Sequence, residues 1–74
     1  MISKVLEASM VDNRAITIVY AANNILTKRT IEVLEIRENE IQAYCYLRKQ
    51  IRTFKIDNIL AAEYVKAYIK RSGV

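Results

Sequence analysis

Between residues 44 and 55 the chain places four cations and two tyrosines within a dozen positions, namely Tyr44, Tyr46, Arg48, Lys49, Arg52 and Lys55, with no acidic residue among them. Arginine at 48 and 52 suits an anion, because a planar guanidinium presents parallel N–H groups to two phosphate oxygens. Tyrosines beside cations suit stacking on bases, which is worth about 1–3 kcal/mol per base in single-strand binders. The chemistry expected here is recognition of an anionic ligand, a nucleotide or single-stranded nucleic acid. Arg48 and Arg52 would hold the phosphate, Tyr20, Tyr44 and Tyr46 would be aromatic neighbours, and Lys55 would be peripheral. The same residues also fit plainer roles. The arginines could form rim ion pairs with Glu38 or Glu40, and the tyrosines could pack across strands or in a dimer surface.

Catalytic chemistry finds little to work with. The 74 residues contain no histidine, which removes the commonest general base and the commonest neutral metal ligand. The one glycine, Gly73, lies in the C-terminal tail, so no Gly-rich phosphate loop exists. A single cysteine, Cys45, supports neither a disulfide framework nor a metal cage, and its apolar neighbours mark it as a buried thiol. No enzyme, cofactor or metal is expected. The lone cysteine, the absence of a signal-peptide pattern and the lack of an apolar run of membrane length lead to a cytoplasmic expectation.

Charge is segregated along the chain. Residues 1–40 carry five basic and six acidic side chains, whereas residues 41–74 carry seven basic against Asp57 and Glu63, for a net +4 overall. A basic half favours an anionic partner.

The elements that must carry these residues can be read from periodicity. Ile2, Val5, Leu6 and Met10 recur at helical spacing, which predicts a helix over about 2–12 that Asp12-Asn13 breaks. From Ala15 the period becomes two, with Ile16, Ile18 and Tyr20 on one face of a strand that ends at Asn23-Asn24. A second strand, about 26–36, changes phase between Val33 and Leu34, the mark of a bulge or sharp bend. After a polar turn at 37–40, Ile41, Ala43, Cys45 and Leu47 face one way and Gln42, Tyr44, Tyr46 and Arg48 the other. Lys49-Gln50 makes a tight connection, and residues 51–56 form a strand with Phe54 and Ile56 on the core side. Arg52 shares their phase and so belongs at the mouth of the core. A short fifth strand over 61–64 and a helical tail through Arg71 complete the reading. The expected class is mainly β with short helices, a small antiparallel barrel of about five bent strands behind an N-terminal helix. It is one domain, with a helix over about 2–12, a barrel over about 15–65 and a tail over 66–74. Unpaired strand edges in so small a barrel predict a dimer or higher oligomer.

Residues 43–60, AYCYLRKQIRTFKIDNIL, resemble the C-terminal half of a WYL domain, whose typical run is A-[YW]-C-x-L-R, a polar turn, then [LIF]-R-[TS]-F-[RK]-[LI]-D-R-I. Upstream, residues 16–20 resemble the family's first strand and residues 29–34 its second. The chain departs from the pattern at Asn39-Glu40-Ile41, where the family has its Trp-Tyr-Leu triplet, and at Val33, Tyr46 and Asn58. The resemblance implies an Sm-like small β-barrel that senses an anionic ligand through a basic and aromatic surface. It also implies a link to bacterial transcription regulation, where such domains sit beside a winged helix-turn-helix. Here the domain is expected to be a stand-alone barrel or a fragment starting at its own methionine. A rival expectation is a protein–protein or oligomerisation module that has lost ligand binding and pairs with itself or with a regulator protein.

Overall fold

The computed structural model describes residues 2–65. Helix α1, Ile2–Asp12, buries Leu6 and Ser9. It ends as a left-handed cap requires: Asn13 has φ 53° and the Arg14 N–H donates to the Ser9 carbonyl at 3.0 Å. This six-to-one bond closes a helix C-terminus, and asparagine tolerates the positive φ better than other residues that carry a Cβ.

Strands β1 (Ile16–Ala22), β2 (Ile25–Ile36), β3 (Glu40–Cys45), β4 (Gln50–Lys55) and β5 (Ile59–Tyr64) form one antiparallel sheet in the order β4-β3-β2-β1-β5. Asn23 and Asn24 both take positive φ, which gives the two-residue hairpin linking β1 and β2 the twist of its strands. Leu34 is the extra residue of a bulge in β2, since Val33 pairs with Ala43 and Glu35 with Gln42. The expected phase change is therefore real, and it re-aims the end of β2. A second irregularity between Val19 and Tyr20 leaves Leu60 as the extra residue of a bulge in β5, since Val19 pairs with Ala61 and Tyr20 with Ile59.

The sheet curls without closing. Tyr20 on β1 and Phe54 on β4 stand three strands apart, roughly 14 Å in a flat sheet. Yet their rings meet edge to face at 5.0 Å. Tyr20 Oη also accepts the Lys55 backbone N–H at 2.9 Å, so one side chain ties the two sides of the curl. The expected barrel thus exists as a curled open sheet with β4 and β5 as its edges. The core fills the concavity: Leu6, Ile16, Ile18, Ile31, Val33, Ile41, Ala43, Cys45, Phe54 and Ile59 are all buried.

Several expectations need correction. Leu47 does not join the Ile41–Ala43–Cys45 face and is 75% exposed. Strand β3 stops at Cys45, and the connection is a four-residue turn, residues 46–49, closed by the Lys49 N–H on the Cys45 carbonyl, with Lys49 at φ 57°. The turn lacks the glycine or asparagine that usually announces positive φ, so alternation ran on past the true strand end. Ile56 leaves β4 for a short 3₁₀ turn, Ile56–Asn58, yet still packs half-buried against the core, the side expected for it. The fifth strand also begins two residues earlier than expected, at Ile59. The helical tail lies outside the described residues.

Ser9 is the one buried polar side chain among the described residues. Its Oγ accepts the Val33 N–H at 2.9 Å and donates to the Arg14 carbonyl at 2.6 Å. Val33 lies beyond Ile31, the last residue of β2 to pair with β1, and the serine supplies a partner there. Ser9→Ala leaves both backbone groups unpaired and is expected to cost about 1–3 kcal/mol. A fall in the urea midpoint with an unchanged m-value checks this.

Candidate functional site

The concave face carries two arginines amid apolar neighbours. Arg29 on β2 pairs in register with buried Ile18, and Arg52 on β4 pairs with buried Ala43. Both are half-buried. Arg29 has the same strand phase as Ile31 and Val33, so its side chain enters the space those residues line. Its Nε donates to Thr27 Oγ1 at 3.3 Å, and its guanidinium carbon lies 6.0 Å from the Phe54 ring centroid. Its Nη1 is buried with no hydrogen-bond partner among the described residues. An unpaired buried guanidinium nitrogen is costly, because desolvation is not offset by any acceptor. A bound anion would supply that acceptor. Arg52 lies two residues before Phe54 on the same strand face, in the row of Ala43 and Val33, so both arginines belong to the concave face.

Cys45 lies on β3 between the two arginine-bearing strands and is fully buried. Burial pushes its thiol pKa up, but the backbone N–H groups of Arg48 and Leu47 and the Arg29 guanidinium beside it hold it below the ordinary value. The thiol is enclosed, as the sequence suggested.

The residues singled out from the sequence divide between two faces. Arg52 and Tyr20 point into the concavity, and Tyr20 spends its hydroxyl on the Lys55 N–H. Arg48 sits on the exposed 46–49 turn. Tyr44 and Lys55 fall in the opposite phase, on the outer face of the sheet. Tyr44 meets Tyr46 edge to face at 5.2 Å, and Tyr46 Oη donates to Glu32 Oε1 at 3.1 Å. Rim ion pairs of Arg48 or Arg52 with Glu38 or Glu40 do not occur among the described residues, where Arg37 bridges Glu35 at 3.2 Å and Glu40 at 3.6 Å. Arg29 was missed by sequence reasoning. The available signal was a cation in phase with Ile31 and Val33, a charge on an otherwise apolar strand face.

Partial burial and the Glu32 carboxylate raise the Tyr46 pKa above its ordinary 10.0. The folded state thus holds the phenolic proton more tightly. The stabilisation is complete below the unfolded pKa and is lost as pH rises through the higher folded one. Melting temperature is expected to fall less steeply in the alkaline range for Tyr46→Phe than for the parent, as thermal scans at increasing pH would show.

Among solved structures, the chain is similar to proteasome accessory factor B/C (PafBC) of Arthrobacter aurescens, with a TM-score of 0.76 at 18% identity over 88% of this chain and 11% of PafBC. At that identity the likeness is one of fold. The chain spans about a ninth of that protein's length. No protein-family model matches the chain, and no characterised protein sequence does. No helix among the described residues is long and apolar enough to cross a membrane, and no cluster of three or more potential metal ligands occurs among them.

Proposed function

We propose that this chain is a non-enzymatic regulatory domain that binds an anionic ligand, a nucleotide or single-stranded nucleic acid, on its concave face. The observation that carries the reading is the buried, unpaired Arg29 Nη1 on the same face as Arg52. Arg29 and Arg52 hold the phosphate, with Arg48 reaching from the adjoining turn. Tyr44, Tyr46 and Lys55 contact only a ligand long enough to pass around the β4 edge, so they distinguish an oligonucleotide from a mononucleotide. The WYL resemblance of residues 43–59 supports this reading. The fold shared with the accessory factor PafBC is compatible with it. A cytoplasmic role in bacterial transcription regulation fits the same resemblance.

A second reading, a protein–protein or oligomerisation module, is favoured by the exposed apolar side chains of Leu47 and Ile51 beside an unpaired sheet edge. Titration of a labelled oligothymidylate at increasing salt separates the two. Log affinity is expected to fall by about 0.7 per phosphate neutralised per log unit of salt. Absence of binding at the lowest salt transfers the case to the interaction module.

A further inference from the structure

We propose that the outer edge of β4 accepts an extended segment of a partner protein in which apolar and acidic residues alternate. Among the described residues the outer edge of β4 carries no paired strand. The β3–β4 register is regular from Glu40–Lys55 to Cys45–Gln50, and the Ile56 N–H donates back to Asn39 at 3.0 Å. Antiparallel pairing alternates, so the N–H and C=O groups of residues 50, 52 and 54 face β3 and those of 51 and 53 face away. The Lys55 N–H also faces away and is taken by Tyr20 Oη. Ile51 and Thr53 are therefore left to pair with an added strand, a recurrent mode of peptide capture.

Side-chain phase defines the occupant. An added residue opposite Ile51 or Thr53 places its side chain on the outer face, beside Ile51 (58% exposed) and its cross-strand neighbour Tyr44. Apolar residues fit there. The residues between point toward Arg52 on the concave side, and no acid lies between positions 41 and 56. Acidic residues fit those positions. A second copy of this chain fits poorly. Two β4 edges would oppose arginine and lysine to like charges, which is destabilising. The β5 edge carries its acid, Glu63, in register with Thr17 on the outer face, the wrong side for Arg52.

The test uses the 74-residue chain and an acetylated, amidated Glu-Val-Glu-Val-Glu peptide, with three controls: the same peptide N-methylated at both valines, its Lys-for-Glu counterpart, and the Arg29→Ala protein. The peptide is expected to shift and slow exchange of the Ile51 and Thr53 amides. N-methylation, which keeps the charge and removes the paired N–H groups, is expected to weaken binding at least tenfold, and the lysine peptide to show none. Arg29→Ala retains the peptide even where it loses nucleotide, which reads the edge apart from Arg29, the concave-site cation it does not share. Equal binding of the N-methylated peptide would reduce the contact to unspecific charge attraction and overturn the proposal. Slowed Ile51 and Thr53 exchange that rises with protein concentration without peptide would assign the edge to self-association and overturn it as well.

Discussion

Replacing Arg29 with Met is expected to weaken nucleotide or oligonucleotide binding at least tenfold while leaving the melting temperature unchanged or raised. Binding falls because a charge-assisted hydrogen bond to phosphate is worth about 1.5–3 kcal/mol. Stability moves the other way because the parent arginine keeps a buried Nη1 without an acceptor among the described residues. Methionine preserves a flexible apolar stem over Phe54 and removes the desolvated charge. Arg52→Ala is expected to show the same loss of affinity with a stability change within about 0.5 kcal/mol, since Arg52 is only half-buried. Titration calorimetry beside thermal scans reads both quantities. If both variants lose stability and retain full affinity, the arginines are structural and the ligand lies elsewhere.

The largest stability effect is expected from Leu6→Ala. Leu6 is 2% exposed and is the apolar anchor of α1 in the core. Truncating a buried leucine costs about 2–5 kcal/mol through lost transfer energy and the cavity left behind. A domain of this size has a total stability of only about 4–11 kcal/mol at 0.05–0.15 kcal/mol per residue. A loss of about 3 kcal/mol would lower the melting temperature by roughly 12–24 °C. Val11 provides the control. It lies on the same helix but is 71% exposed, so Val11→Ala should stay within about 0.5 kcal/mol of the parent. Equal losses from the two substitutions would mean that the helix docks through a different face.

Local chemistry made most of the fold legible. Asn13 at the helix end, Asn23-Asn24 in the hairpin and the phase slip at Leu34 each have a direct backbone consequence, and each lies where the sequence placed it. The failures arose where tertiary demands left no local mark. The 46–49 turn takes its positive φ at a lysine, so Leu47 and Arg48 were assigned to strand phase. Whether a curled sheet closes depends on how its edges meet across the core. Here Tyr20 spans the gap to β4, a long-range contact that no local spacing reveals. The site was half legible. Alternation puts Arg52 on the Phe54 side, within the dense basic and aromatic run from 44 to 55. Arg29 stood outside that run, beside an acidic segment that cancels its charge in any composition count.

The most direct measurement of the central claim is an amide and side-chain NMR titration of the chain with a nucleoside monophosphate and with oligothymidylate. Both ligands are expected to shift the Arg29 guanidinium, Thr27, Cys45 and Arg52. Further shifts at Tyr44 and Tyr46 are expected with the oligonucleotide alone. Shifts confined to the outer face, with the Arg29 and Arg52 resonances unmoved at saturation, would contradict that claim.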